Sequence, residues 1–187
     1  MRLAIGAPQG RSGKTTVTLG LILALRHKGL TVQPFKKGPD FIDPSWLSLV
    51  AGRECRNLDL YFLDKEQLAY HFYASCQDAD IAVIEGAMGL FDGLDLEGSD
   101  STAAVAQAVA APVILVIDAT RMTRSAAALV KGFATFDENT RIAGVILNKV
   151  ARPRHEAMLR KSIESYTGIP VVGAVPKQNN LVIADRH

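Results

Sequence analysis

Cysteine is scarce in this sequence, tryptophan occurs once, and neither sign of charge dominates. Cys55 and Cys76 share no C-x-x-C or metal-ligand spacing, so two ordinary reduced thiols are expected rather than a disulfide framework or a zinc site. With 21 basic and 19 acidic residues the net charge is only +2, too little to call for nucleic acid or an anionic membrane as partner. No apolar run approaches the length of a membrane span. The early apolar stretch after Arg2 ends at Gly6, too soon for a secretory signal. His27, His71, His155 and His187 belong to no His/Asp/Ser or metal arrangement and read as solvated side chains. Internal repeats, low-complexity tracts and linkers are also lacking. What these absences leave is a soluble, cytoplasmic chain forming one domain over residues 1–187, whose 48% hydrophobic content is ample for one core.

What is present is an alternation of apolar runs with helical patterns, the signature of βαβ units on a parallel sheet. Strands are expected at Leu3–Ala7, Val32–Phe35, Ile81–Glu85, Pro112–Asp118, Ile142–Asn148 and Val171–Val175. Their apolarity is continuous rather than alternating, as in strands covered on both faces. Helices are expected at Thr15–Lys28, Lys65–Cys76, Thr102–Ala110, Arg124–Thr135 and Arg154–Tyr166, the first closed by Gly29. The fold class is therefore α/β, a mostly parallel sheet with helices on both faces.

The most informative stretch lies between the first strand and the first helix: Gly10-Arg11-Ser12-Gly13-Lys14-Thr15-Thr16. A glycine-rich turn ahead of a helix N-terminus presents backbone N–H groups to an anion. Lys14 would add a charge for the β/γ-phosphates of ATP and Thr15 a hydroxyl for Mg²⁺. The strict G-x-x-x-x-G-K-[ST] pattern is broken, because Pro8 stands at its first glycine. A plain glycine-containing turn with an exposed lysine is the reading it must be weighed against.

Ligands of open α/β sheets sit beyond the carboxyl ends of the strands. The second strand delivers Lys36 and Lys37, able to neutralise phosphate or a substrate carboxylate, with one of the two expected to be simply solvated. Asp40 and Asp43 follow in a segment bracketed by Pro39 and Pro44, which predicts a fixed loop. Either aspartate could hold Mg²⁺, and Asp43 reads equally well as a turn residue. Glu85 ends the third long apolar run, where an acid needs a partner. A metal-bound nucleotide would supply one. Gly86, Gly89 and Gly93 then space a loop in which Leu90 and Phe91 could face something flat and apolar and Asp92 could hold a substrate group or a second metal. Ser101 and Thr102 read chiefly as helix N-cap candidates. Asp118 reads equally as a cap or as a relay to the metal. Arg124, in a first helical turn, makes sense beside an anionic substrate. Asn148 suits the reading of an adenine edge.

With these blocks in view, the chain resembles the cobyrinic acid a,c-diamide synthases. The resemblance is carried by Ser12-Gly13-Lys14-Thr15-Thr16-Val17-Thr18-Leu19-Gly20, Phe35-Lys36-Lys37-Gly38-Pro39-Asp40-Phe41-Ile42-Asp43-Pro44 and Asn57-Leu58-Asp59-Leu60. It continues in Glu85-Gly86-Ala87-Met88-Gly89-Leu90-Phe91-Asp92-Gly93, Arg124-Ser125 and Gly144-Val145-Ile146-Leu147-Asn148, so it spans essentially the whole chain. In that family Pro8 is no defect. The resemblance implies a dethiobiotin-synthetase-like P-loop fold and a ligase. This ligase uses ATP and Mg²⁺ to phosphorylate the a and c acetate carboxylates of a corrinoid or related tetrapyrrole. Glutamine-derived ammonia then displaces phosphate from each acyl phosphate. It implies catalytic roles for Lys14, Asp40, Glu85 and Asp92 and metal binding by Thr15, Asp40, Asp43 and Glu85. Substrate contacts are expected among Lys36, Lys37, Phe41, Ile42, Leu90, Ser101 and Arg124.

Two departures stand out. Phe41 replaces a tyrosine-like position, and the chain ends before the family's glutaminase domain could begin, so it is expected to be the synthetase part with ammonia supplied elsewhere. Nickel sirohydrochlorin, hydrogenobyrinate and cobyrinate are not separated by these residues, and a homodimer stays open. A dethiobiotin-synthetase-like carboxylate-activating ATPase is the alternative nearest in chemistry, though the Gly38–Pro44 block argues against it. A partition-type ATPase switch is the other, and Gln9 stands where its signature lysine would be.

Overall fold

Each long apolar run becomes a strand of one parallel sheet in the computed structural model, which describes residues 1–178. The terminal apolar segment 181–184 and His187 lie outside the described residues. The strands are β1 (Arg2–Gly6), β2 (Val32–Lys37), β3 (Arg56–Leu58), β4 (Ile81–Glu85), β5 (Val113–Asp118), β6 (Ile142–Val150) and β7 (Val171–Pro176). Their order across the sheet is β3-β2-β4-β1-β5-β6-β7, and every pairing is parallel. The helices are α1 (Lys14–His27), α2 (Ile42–Ala51), α3 (Lys65–Ser75), α4 (Thr102–Ala108), α5 (Ser125–Phe136) and α6 (Pro153–Thr167).

Successive residues of a strand point to opposite faces, and here both faces are dry. Ala4, Ile84 and Leu115 belong to one apolar cluster, which α3, α4, α5 and α6 complete through Phe72, Val105, Val130 and Leu159. Their chain neighbours Ile5, Val83 and Val116 belong to the other, completed by Val17 and Ile22 of α1 and Leu47 of α2. Burying a Leu, Ile or Phe side chain contributes about 1.5–3 kcal/mol, so the two clusters hold the sheet between its helices. Gly29 follows α1 with φ +82°, as its sequence position predicts.

Two elements were not expected. β3 is three residues long with only Leu58 buried, too short to show a period. The predicted loop between Pro39 and Pro44 is instead the start of α2. Pro44 falls in the first helical turn, where its missing N–H removes no intrahelical bond. Asp40 Oδ1 accepts from the backbone N–H groups of Ile42 (3.0 Å) and Asp43 (3.3 Å), satisfying two donors that the new helix leaves open.

Candidate active site

β1 lies at the centre of the sheet between β4 and β5, so the turn leaving it is flanked on both sides by other strand ends. That turn runs from Gly6 to α1. Gly13 caps the helix in the left-handed region (φ +90°), and the first turn of α1 contains no acidic residue to oppose an anion. A Cβ on Gly13 would sit 2.0 Å from Asn148 Nδ2, so glycine is required there twice over. Gly10 and Arg11 form the exposed tip of the turn, while Ser12 is buried, its hydroxyl donating to Gln9 O at 3.0 Å. Lys14 Nζ donates to Met88 O at 2.6 Å and is largely buried; burial, then the nearby Lys36 charge, lowers its pKa. The alternative of an exposed turn lysine is thereby excluded. Thr16 lies in the first turn of α1, partly exposed.

Thr15 Oγ1 donates to Glu85 Oε1 across 2.6 Å, which joins the phosphate-loop helix to the end of β4. Glu85 is fully buried, and its Oε2 has no hydrogen-bond partner among the described residues. Burial pushes its pKa up; the Lys36 ammonium and the Thr15 hydroxyl pull the other way. Lys36 is central to this arrangement: its Nζ lies 2.6 Å from Asp43 Oδ2, 3.0 Å from Glu85 Oε1 and 3.9 Å from Asp40 Oδ2. Lys37 pairs with Asp100 at 3.3 Å, with both side chains mostly covered. The expectation that one of these lysines is solvated therefore fails. Each is held by a carboxylate, because the strand end that carries them is roofed by α2 and the segment leading to α4.

The 86–93 loop is stitched to the phosphate loop. Leu90 N–H donates to Ala7 O at 2.8 Å, and Asp92 Oδ2 accepts from Gly89 N–H at 2.9 Å. A Cβ on Gly89 would lie 2.8 Å from Pro8 O, so only glycine lets the two loops meet. Met88, at φ +53°, is held in the left-handed region, where its carbonyl meets Lys14. Asp92 stays exposed at the rim.

Several other expectations are corrected. Leu90 is fully buried in the core, and Phe91 packs on Phe133 and Phe136 with centroids 5.6 and 4.8 Å away. The backbone bond from Leu90 N–H to Ala7 O turns Leu90 inward, and Phe91 is partly covered by α5. Asn148 donates from Nδ2 to Ser12 O at 3.0 Å and accepts Lys149 N–H on Oδ1 at 2.9 Å. One donor and one acceptor position of its amide are engaged beneath the phosphate loop, so it braces that loop. Ser101 is the α4 cap, accepting from Ala104 N–H, and is buried away from solvent. Asp118 accepts Thr120 N–H and pairs with Lys149 at 2.7 Å, which makes it a strand-end brace. Arg124 lays its guanidinium 4.9 Å from the Tyr166 ring centroid on α6, an engagement that its helix-start position did not foretell. Phe41 and Ile42 are exposed where α2 begins.

Sequence reasoning missed two participants. The Met88 carbonyl carries no side-chain signal, and Asp100 lies in a loop rich in polar residues. Thr102, a candidate cap by sequence, instead accepts Ala87 N–H on its hydroxyl at 3.1 Å. Cys55 is buried and its thiol is pushed up to about 12, mainly by burial, as expected of an inert cysteine.

A glycine turn, a buried lysine and a threonine–carboxylate contact on the central strands of a parallel sheet define a P-loop nucleotide-binding protein. Solved structures agree on the fold. The signal recognition particle 54 kDa protein of Aeropyrum pernix K1, determined with GDP, superposes with a TM-score of 0.65 at 20% identity over 95% of this chain and 42% of that one. The signal recognition particle receptor FtsY of Elizabethkingia anophelis gives 0.65 at 21% identity over 91% and 56%. Residues 3–187 match the CobQ/CobB/MinD/ParA nucleotide binding domain, and the chain belongs to that family. A cobyrinate a,c-diamide synthase of Magnetococcus marinus is 53% identical over 186 residues, 100% of this chain and 40% of that protein. A hydrogenobyrinate a,c-diamide synthase of Streptomyces coelicolor is 50% identical over 187 residues, 100% of this chain and 38% of that protein. The chain thus spans about two-fifths of the length of these relatives.

Proposed function

We propose that this chain is the ATP-binding synthetase part of an enzyme that amidates the a and c acetate carboxylates of a corrinoid or related tetrapyrrole. The observation that carries the reading is the Thr15–Glu85 contact with Glu85 Oε2 buried and unpartnered beside it. Among the described residues no three His, Cys, Asp or Glu side chains form a ready metal cage. That suits Mg²⁺, which is commonly held by one or two protein groups with phosphates and water completing its shell. Thr15 and Glu85 would hold it, with Asp40 and Asp43 adjacent. When bound it would neutralise charge on the transferred phosphoryl group.

The chain's own residues do the rest by position and charge. N–H groups from Gly10 to Thr16 bind the phosphates, and Lys14 moves from the Met88 carbonyl to the phosphate oxygens. A substrate carboxylate oxygen attacks the γ-phosphorus and ADP leaves. Ammonia then attacks the acyl carbon, and phosphate departs with the C–O electrons. Phe41, Met88, Leu94 and Leu96 place large apolar side chains, each at least 65% exposed, on loops at this edge, a surface suited to a macrocycle. The remaining length of the relatives, or free ammonia, would supply nitrogen, and the cytoplasm is the compartment this reading implies.

The test is ADP release by the chain with ATP, magnesium and an ammonium salt. Release that rises on adding cobyrinate or hydrogenobyrinate, with amide formation seen by mass spectrometry, is expected. Turnover with a diaminononanoate in their place would assign the protein to carboxylate activation of the dethiobiotin-synthetase kind instead.

A further inference from the structure

Three carboxylates converge on the ammonium of Lys36, whose side chain is 4% exposed. Two of them, Asp43 and Glu85, lie within 3.0 Å of Nζ, and Asp40 closes the group at 3.9 Å. The carboxylates come from different elements: Asp43 from the first turn of α2, Glu85 from the end of β4, and Asp40 from the turn between β2 and α2. Lys36 stands opposite Glu85 in the β2–β4 register, so the contact is fixed by strand pairing rather than by a flexible tail. Buried like charges so close repel strongly, and an ammonium at their centre removes most of that cost.

We infer that Lys36 is a built-in counter-cation that competes with a divalent metal for Asp43 and Glu85, so that the cluster takes the metal together with nucleotide phosphates and not alone. This deepens the magnesium reading above and rests on it. The electrostatics run in one direction. The Lys36 ammonium offsets carboxylate charge that a free dication would otherwise meet. Replacing it by a neutral side chain makes the site more negative by one charge and a better match for a dication. In the intact site the phosphates of an incoming nucleotide give the displaced ammonium another anion to face, so metal and nucleotide enter as a pair. Glu85 Oε2, buried and without a partner among the described residues, is the oxygen left over for the metal.

The experiment is a titration of the whole chain with Mn²⁺ as the probe, with and without ATP, in which protein-bound Mn²⁺ is counted by equilibrium dialysis with the same ATP concentration on both sides. The wild type is expected to bind Mn²⁺ with ATP and at least about tenfold more weakly without it. Lys36→Met should bind Mn²⁺ alone about tenfold or more tightly than wild type does, whereas Lys36→Arg, which keeps the charge, should stay like wild type. Equal nucleotide-free affinity in Lys36→Met and wild type overturns the inference and leaves the magnesium reading standing. Absence of Mn²⁺ binding by the wild type even with ATP overturns the magnesium reading and the inference with it. If Lys36→Met is unfolded without metal, recovery of its circular dichroism by Mn²⁺ but not by K⁺ supports the inference, and recovery by neither overturns it.

Discussion

Gly13 and Asn148 make the sharpest quantitative test of how the phosphate loop is held. Gly13→Ala imposes two separable costs. A non-glycine residue at φ +90° is disfavoured by about 1–2 kcal/mol. The new Cβ would lie 2.0 Å from Asn148 Nδ2, and forcing a buried, hydrogen-bonded amide aside costs about 1–3 kcal/mol more. Asn148→Ala alone strands Ser12 O and the Lys149 N–H, at about 1–3 kcal/mol. In the double variant the amide that the Cβ would strike is gone, so the clash disappears while the backbone cost of alanine at the Gly13 position and the stranded Ser12 O and Lys149 N–H remain. Gly13→Ala should therefore lower the melting temperature by roughly 10 °C, while the double variant should recover about 1–3 kcal/mol relative to the summed single effects. Urea denaturation gives the four stabilities of the cycle, and a fluorescent ATP analogue reports whether the loop still binds. Additivity within about 0.5 kcal/mol would refute the claim that Asn148 and Gly13 are packed against one another.

Glu85 has a folded pKa above its ordinary 4.5, so the folded chain holds that proton to higher pH than the unfolded chain. Its contribution to stability is complete below pH 4.5 and is lost as pH rises through the folded value. The stability of Glu85→Gln relative to wild type should accordingly increase from acid to neutral pH in urea melts, and a flat or falling difference would contradict the burial argument. Lys37→Met removes the partner of the mostly covered Asp100, whose Oδ1 also accepts Leu94 N–H at 2.7 Å. Hydrogen exchange at Leu94 should speed up about 5–100-fold while the core strands stay protected. With its thiol pushed up to about 12, Cys55 should resist a disulfide reagent at about pH 8 until urea unfolds the chain, with half-buried Cys76 reacting first.

Much of the fold was legible because its signals are local. Six of the seven strands are long apolar runs, and the glycine-rich turn, Lys14 and the helix after it follow one another in sequence. The elements that escaped were those without a local signature. β3 is an edge strand of three residues stabilised by pairing with β2, and the start of α2 is disguised by prolines that read as a loop. In the site, Glu85 could be singled out from sequence because an acid closing a buried strand is costly and so conspicuous. Leu90 could not be placed, since the same glycine loop could have turned it outward or inward. The bond from Leu90 N–H to Ala7 O decides that, and the two residues are far apart in the chain.

By itself the sequence determined that this chain is a parallel α/β protein with a phosphate loop, and which strand ends carry charge. Those properties are written in periodicity, in glycine placement and in the cost of burying acids. Only the tertiary structure decided which charges meet. Strand order sets β2 beside β4, and therefore Lys36 against Glu85. It also brings the end of β6 to the phosphate loop, where Asn148 binds Ser12. The physical reason is that an ion pair or an amide brace depends on a few ångströms between residues 49 or 136 positions apart, a separation across which no local pattern carries information.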